Sequence, residues 1–202
     1  MLFRSALLQV DPTVGDLAGN ASRLLALARL AMEAGADVAV STELAITGYP
    51  PRDLLLSSAF VEAAQAKATG LNPPLPLLIG TPLVAEEEGQ RPANGVLSLS
   101  ADGHARRAHA KQLLPTYDVF DEARYFHAGR RPGLVRGAGG MDLGVTVCED
   151  AWQAAGLTPS TYDVDPIAQL ETLVRQDVGL NATVNLSASP FHQSKVDARD
   201  RK

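Results

Sequence analysis

Three residues with the side chains of a nucleophile, a base and a cation each lie where a predicted strand ends and a loop begins. They are Cys148, Glu43 and Lys111. A thiol with an ordinary pKa of about 8.5 is mostly protonated at neutral pH, and the thiolate is the nucleophile. A carboxylate can accept the thiol proton, and a lysine cation can stabilise both the thiolate and a tetrahedral oxyanion. The three residues therefore predict nucleophilic attack on a carbonyl carbon without a histidine.

Each of these residues also has an ordinary structural explanation. A glutamate at a strand end is usually solvated, Lys111 could extend a basic edge strand, and Cys148 could be a small buried core residue. Their shared placement favours catalysis, because loops at strand ends are where the sites of α/β proteins are usually built. The backbone N–H of Glu149, directly after the cysteine, is a candidate second donor to the oxyanion.

Apolar runs and turn signals predict the elements that would position these residues. We expect strands at residues 3–10, 37–43, 75–80, 94–100, 104–110, 143–147 and 182–186. We expect helices at 53–67, 166–176 and 194–200, and a first helix that begins at Ala21 after an Asn20 cap. Asp102-Gly103, between two of the strands, is a strong hairpin signal. Helices that alternate with strands around a central hairpin favour an α/β fold with a mixed sheet over a doubly wound parallel sheet.

The composition argues against several classes of partner. The 202 residues are 46% hydrophobic and 20% charged, which suits one soluble domain with a sizeable core. The net charge is −5 and no stretch combines dense Lys and Arg with aromatics, so we expect no nucleic acid. We expect no membrane partner, because no apolar run approaches the ~20 residues of a membrane span. A single cysteine cannot form an internal disulfide, which fits the cytoplasm, and the histidines lack metal-ligand spacing, so we expect no metal.

Three local sequences make the pattern more specific than the residue types alone. They are residues 48–54 (Gly-Tyr-Pro-Pro-Arg-Asp-Leu), residues 115–122 (Pro-Thr-Tyr-Asp-Val-Phe-Asp-Glu) and residues 148–152 (Cys-Glu-Asp-Ala-Trp). In this order and at this spacing, over essentially the whole chain, the sequence resembles the nitrilase, or carbon–nitrogen hydrolase, superfamily. The first two segments are similar in particular to the amino-terminal glutaminase domains of bacterial glutamine-dependent NAD⁺ synthetases.

The resemblance implies a four-layer α-β-β-α sandwich and a role for each strand-end residue. Glu43 would be the base, Lys111 the stabiliser of thiolate and oxyanion, and Cys148 the nucleophile. A second glutamate near this triad would be Glu122. The implied reaction is hydrolysis of the glutamine side-chain amide through a γ-glutamyl thioester. Glutamine would be held by the side chains of Tyr49, Tyr117, Phe120, Ser189 and Lys195.

The resemblance also implies partners outside the chain. Ammonia would pass to an ATP-dependent synthetase domain, so ATP, Mg²⁺ and deamidated NAD are expected only there, and no cofactor is expected in this chain. We expect residues 1–202 to form one amidase domain that is incomplete at its carboxyl end and lacks the synthetase domain. A homo-oligomer is expected as well. Two alternatives stay open, namely a stand-alone amidase or carbamoylase acting on another amide, and an inactive fragment or interaction module that keeps the motif.

Overall fold

The computed structural model describes residues 3–117, 120–153, 156, 158, 162–176 and 179–189 of the chain. Its strands are β1 (Ser5–Leu8), β2 (Val38–Ser41), β3 (Leu77–Leu83), β4 (Ala93–Leu99), β5 (Ala105–Ala110), β6 (Gly133–Ala138), β7 (Met141–Val147) and β8 (Ala182–Leu186). Its helices are α1 (Leu17–Glu33), α2 (Ser58–Thr69), α3 (Glu122–Tyr125) and α4 (Pro166–Arg175), with 3₁₀ turns at Arg52–Leu56 and Cys148–Ala151.

The described strands form two separate mixed sheets. In the first sheet the order is β1-β2-β3-β4-β5, with parallel pairs as far as β3 and antiparallel pairs from β3 to β5. In the second sheet, β7 lies between an antiparallel β6 and a parallel β8. The predicted hairpin is confirmed as β4 and β5, and the predicted mixed-sheet α/β class is confirmed with it.

Alternate side chains of the first sheet point to opposite layers. Val38 and Val40 of β2 are buried in a cluster shared with the second sheet. Ala39, which lies between them, belongs instead to the cluster that contains residues of α1 and α2. On the other face of the second sheet, a carbon added at Gly144 of β7 would lie 3.1 Å from the side chain of Leu170 in α4. The layer order is therefore helices, sheet, sheet, helix, which confirms the four-layer α-β-β-α sandwich.

The predicted start of the first helix was wrong. Helix α1 begins at Leu17, and its cap is Asp16, whose side chain accepts the backbone N–H of Gly19 at 2.8 Å. Asn20 lies inside the helix and is buried, where its Nδ2 donates to the carbonyl oxygens of Thr13 at 2.8 Å and Ile46 at 3.0 Å. A polar residue before an apolar run predicts a helix cap. The Asn20 side chain instead forms hydrogen bonds that hold two loops against the helix.

Two other regions differ from the sequence-based expectation. The expected helix at 53–67 is a 3₁₀ turn followed by α2, because the extended backbone of Ser57 separates them and its hydroxyl accepts the N–H of Phe60. Strand β6 was not predicted, and its pairing with β7 shifts register between Val135 and Ala138. The expected helix at 194–200 lies outside the described residues. None of the helices described here has the length and apolar character to cross a membrane.

Gly80, in the middle of β3, lies under the backbone that follows β2. Its N–H donates to the Ser41 hydroxyl at 3.0 Å, and its carbonyl accepts the N–H of Ile46 at 3.3 Å. A Cβ at this position would lie 2.4 Å from the Thr42 oxygen and 2.6 Å from the Leu44 nitrogen. Real side chains do not approach backbone so closely, so the path of residues 42–44 across the sheet requires glycine at position 80.

We expect Gly80→Ala to lower the free energy of unfolding by about 1–3 kcal/mol, because the added methyl must displace backbone rather than a flexible side chain. Denaturant unfolding followed by circular dichroism measures the change. Gly179→Ala is the matched control, since a Cβ there meets nothing within 4 Å. Equal stability of Gly80→Ala and the parent protein would contradict the close approach.

Candidate active site

The ends of three strands deliver the residues that the sequence predicts to act together. Lys111 directly follows β5 and Cys148 directly follows β7, while Glu43 lies two residues beyond the end of β2. The backbone N–H of Lys111 donates to the carbonyl of Asn94 at 2.8 Å, which extends the pairing of the hairpin by one residue. The structure therefore confirms the predicted strand-end placement of Lys111 and Cys148, and it puts Glu43 in the turn that passes over Gly80.

The Lys111 ammonium lies between two carboxylates. Its Nζ is 2.9 Å from Glu43 Oε1 and 2.9 and 2.8 Å from the two oxygens of Glu122. The side chains are 0% exposed for Lys111 and Glu43 and 6% exposed for Glu122. A charge is tolerated at such depth only when it is paired and hydrogen-bonded. The second glutamate that the resemblance implies is thus in direct contact with the lysine, and it is not a surface acid.

Neutral hydrogen-bond donors also contact both carboxylates. Asn94 Nδ2 donates to Glu43 Oε1 at 2.8 Å, and the backbone N–H of Ala188 donates to Glu43 Oε2 at 3.0 Å. The Tyr49 hydroxyl donates to Glu122 Oε1 at 2.9 Å. Sequence reasoning missed Asn94, whose only signal was a polar amide at the start of an otherwise apolar strand. Tyr49, predicted to hold substrate, is tied directly to the carboxylate cluster.

Burial and charge make the pKa values of this cluster unusual. Burial alone would lower the pKa of Lys111, but the charges of Glu43 and Glu122 raise it well above its ordinary value. Burial raises the pKa of Glu122, and the charge of Glu43 adds to that rise while Lys111 opposes it. Glu122 therefore holds a proton to a higher pH than an exposed glutamate does.

Cys148 occupies a sharp turn at the end of β7. Its φ of 45° lies in the left-handed region, which costs an L-residue about 1–3 kcal/mol, and its carbonyl accepts from Asn185 Nδ2 at 3.3 Å. Burial, followed by the charge of Glu43, raises the pKa of the Cys148 thiol to about 12, while Lys111 lowers it. The thiol is therefore mostly protonated at neutral pH, and fast attack by its sulfur requires a neighbouring base to take the proton.

The other residues predicted to bind substrate lie in two places. The Tyr117 hydroxyl is 2.8 Å from both oxygens of Glu149, and its ring packs edge-to-face on Phe120 with a centroid distance of 5.7 Å. Ser189 is half-buried in the segment after β8. Lys195 lies outside the described residues. The structure thus brings Tyr117 and Phe120 together beside the residue that follows Cys148.

The side chain of Glu149 was missed by sequence reasoning, which considered only its backbone N–H. The carboxylate is buried, and it accepts hydrogen bonds from Tyr117 and, at 3.3 Å, from the hydroxyl of Tyr162. No lysine or arginine in the described part of the chain forms an ion pair with it. Its position directly after the predicted nucleophile was the available signal. A buried carboxylate held by two hydroxyls can accept a cationic ligand group.

A cavity of about 200 Å³ opens on the Glu122 side of the cluster. Tyr49, Phe120 and Glu122 contribute to its wall, together with apolar residues such as Leu44 and Phe126. Cys148 does not line this cavity. Among the described residues, no three or more His, Cys, Asp and Glu side chains form a group that could hold a metal ion.

Comparison with known families agrees with this geometry. The sequence model of the family described as "Carbon-nitrogen hydrolase" matches residues 4–160. The chain belongs to the carbon–nitrogen hydrolase family. It is therefore a member of an enzyme family, and the resemblance to the nitrilase superfamily found in the sequence is confirmed.

The similar curated proteins are much longer than this chain. The glutamine-dependent NAD(+) synthetase of Rhodobacter capsulatus is 42% identical over 201 residues, which cover 98% of this chain and 33% of that protein. The glutamine-dependent NAD(+) synthetase of Synechocystis sp. is 38% identical over 207 residues, covering 98% of this chain and 36% of that protein. The chain thus spans about a third of the length of these relatives.

Solved structures share the fold of this chain. The glutamine-dependent NAD+ synthetase of Acinetobacter baumannii in complex with ADP matches with a TM-score of 0.78 and 26% identity, over 98% of this chain and 34% of that one. An amidase from Nesterenkonia sp. matches with a TM-score of 0.72 and 20% identity, over 96% of this chain and 68% of that one. The second likeness concerns the fold alone, and both agree with a nitrilase-type sandwich.

We expect alkylation of native Cys148 by iodoacetamide to become about tenfold faster with each pH unit between about pH 7 and 10, because the thiolate fraction keeps rising below its raised pKa. In denatured protein the rate should level off above about pH 8.5. Glu43→Gln should make native alkylation faster throughout this range, since the charge of Glu43 raises the pKa of Cys148. Intact-mass spectrometry follows the reaction.

Glu33→Gln, which removes an exposed carboxylate at the end of α1, is the charge-matched control and should leave the profile unchanged. A native profile that levels off at the same pH as the denatured one would show that burial does not raise the pKa of this thiol.

Proposed function

We propose that this chain hydrolyses the side-chain amide of glutamine, with Cys148 as nucleophile, Glu43 as base and Lys111 as the stabilising cation. The observation that carries the proposal is the buried Lys111 ammonium held between Glu43 and Glu122, together with the buried Cys148 directly after β7. Membership of the carbon–nitrogen hydrolase family supports the same reaction class.

The first half-reaction forms a thioester. The Cys148 sulfur attacks the amide carbon while its proton passes to Glu43, and the resulting oxyanion is stabilised by Lys111 and the backbone N–H of Glu149. Such stabilisation contributes roughly 3–4 kcal/mol per well-placed donor. Glu43 then returns the proton to the leaving nitrogen, so that the carbon–nitrogen bond breaks and ammonia departs from a γ-glutamyl thioester.

The second half-reaction releases glutamate. Water attacks the thioester carbon with Glu43 as general base, and the carbon–sulfur bond breaks as the proton returns to Cys148. Glu122 does not carry a proton to substrate in this scheme. It fixes the Lys111 ammonium and the Tyr49 hydroxyl.

Glutamine is the proposed substrate because the site offers a counterpart for its amino-acid end. The Glu149 carboxylate, next to Cys148 and free of an ion pair with any described lysine or arginine, suits the α-ammonium group. Tyr117 and Phe120 form an aromatic wall beside it. Tyr49 and Ser189 would contribute further polar contacts, and Lys195 would bind the α-carboxylate.

The proposed destination of the ammonia is an ATP-dependent NAD⁺ synthetase region. The relatives named glutamine-dependent NAD(+) synthetase are about three times as long as the segment that this chain matches. ATP, Mg²⁺ and deamidated NAD would bind in that further region, and this chain would need no cofactor of its own. A cytoplasmic location and a homo-oligomeric assembly remain predictions from the sequence.

We expect Cys148→Ala to lower glutamine hydrolysis by at least about 10³-fold, because nucleophiles that act in a unit with their base cannot be replaced by water at comparable rate. Ammonia release measures the loss. A glutamine-analogue electrophile should add one label to the parent protein at Cys148, glutamine should protect against labelling, and Cys148→Ala should take up none.

Cys148→Ser is the shape-matched variant, in which a hydroxyl oxygen replaces the sulfur. Hydrolysis of glutamine by Cys148→Ala at the parent rate would refute the nucleophile assignment. Absence of labelling in folded parent protein would favour the inactive-fragment alternative.

We expect Glu149→Gln to raise KM for glutamine about 10- to 100-fold, since a hydrogen bond to a charged group is worth about 1.5–3 kcal/mol. Hydrolysis of butyramide, which has no α-ammonium group, should change by less than about threefold. Steady-state ammonia release with both substrates measures this split.

Glu171→Gln is the control, because Glu171 is an exposed carboxylate of α4 that pairs with Arg175. An equal loss with both amides would count against recognition of the α-ammonium by Glu149. A parent protein that prefers butyramide to glutamine would favour the stand-alone amidase alternative.

A further inference from the structure

We propose that Asp150, held by His109, is a positioning residue that fixes Lys111 and Cys148 relative to each other. Its kinetic consequence rests on the proposed function, since it concerns the rate at which these two residues act on an amide. The Asp150 carboxylate accepts hydrogen bonds from backbone groups next to Lys111 and next to Cys148. In this proposal it does not contact the substrate.

The Asp150 carboxylate joins two segments that lie far apart in the chain. Its Oδ1 accepts the backbone N–H groups of Gln112 and Leu113, each at 2.9 Å, and these residues directly follow Lys111. Its Oδ2 accepts the N–H of Val147 at 3.0 Å, the residue directly before the cysteine. One carboxylate therefore sets the backbone position of the segment after β5 and of the end of β7.

His109 holds the carboxylate from the opposite side. Its Nε2 is 2.7 Å from Asp150 Oδ2, and both side chains are 0% exposed. A carboxylate only accepts, so Nε2 is the donor in this bond. Nδ1 of His109 is buried and has no partner among the described residues. The ring is also confined by β6, because a Cβ at Gly133 would lie 2.9 Å from the His109 Cβ.

The four donors explain how a carboxylate can be buried at this depth. A buried anion is tolerated when its lone pairs are filled, and within the described residues Asp150 has no lysine or arginine partner. Three of the donors are backbone N–H groups. The position of the carboxylate is thus coupled to the position of the main chain. Rotation of a side chain cannot compensate for a displaced backbone N–H group. A displacement of Asp150 would move the segment that carries Lys111 or the turn that carries Cys148.

The isosteric variant Asp150→Asn breaks this arrangement on one side only. The amide has a single acceptor oxygen, and its nitrogen can donate to His109 if the imidazole changes tautomer. With the oxygen towards Gln112 and Leu113, the N–H of Val147 faces a donor and loses its partner. With the amide reversed, the two N–H groups after Lys111 lose theirs.

The first measurement compares kcat and KM for glutamine, expressed per titrated Cys148 thiol. Asp150→Asn and His109→Leu should lower kcat about 10- to 100-fold, the cost of misplacing reacting groups by about 1 Å, with KM changed less than about threefold. His109→Gln should stay within about threefold of the parent protein, because its amide nitrogen can replace Nε2 as donor to Asp150. Asp142→Asn is the matched control: this half-buried carboxylate at the other end of β7 pairs with Arg136 and also accepts a backbone N–H, from Gly137 at 2.9 Å.

The second measurement does not depend on amide hydrolysis. Cys148 is the single cysteine of the chain, so intact mass reports its alkylation by iodoacetamide directly. Asp150→Asn and His109→Leu should speed native alkylation at pH 7 at least about threefold, because a loosened turn uncovers the thiol. Circular dichroism of the same samples should match the parent protein, and Asp142→Asn and His109→Gln should keep the parent alkylation rate.

These results separate the two proposals. If the parent protein releases no ammonia from glutamine, the proposed function fails, and the alkylation rates still decide the role of Asp150. Parent-like kcat and alkylation in Asp150→Asn and His109→Leu would overturn the positioning role. So would an equal fall in kcat for His109→Gln and His109→Leu. If Asp150→Asn does not fold, the comparison of His109→Leu with His109→Gln in kcat and alkylation rate still tests the positioning role.

Discussion

The burial of one ammonium between two carboxylates constrains the rest of this structure. Lys111 cannot leave the end of β5 without leaving Glu43 and Glu122 unpaired in a region almost fully removed from solvent. Neutral donors, among them Asn94 and the backbone of Ala188, stabilise the excess negative charge of the two carboxylates. Both sheets and three connecting segments therefore meet at a single charge cluster.

The residue types and their positions at strand ends made the centre of this site predictable from sequence. Glu43, Lys111 and Cys148 each carry a chemically distinctive side chain. The sequences that follow them carry the specific resemblance to the family. The supporting contacts were not predictable in the same way. Asn94 and Asp150 act through partners dozens of positions away in the chain, so their roles exist only once the strands are paired in register.

The same distinction applies to the fold. Apolar runs and the Asp102-Gly103 turn predicted most strands and the mixed-sheet class, because those signals are local. Strand β6 has an irregular register with β7 and no clear alternation, so it left no local signal. Asn20 gave a local signal for a helix cap that tertiary contacts overrode, since its side chain bridges two loops inside the protein.

The raised pKa of the Cys148 thiol has a consequence for its reactivity with oxidants. Peroxides and disulfides react with thiolates, and the susceptibility of a cysteine follows its thiolate character and exposure. Cys148 is only 6% exposed and burial raises its pKa to about 12, so both properties slow its reaction with oxidants. The chain contains no second cysteine that could resolve a sulfenic acid. Burial and the raised pKa of the thiol therefore both favour slow oxidation of this sulfur.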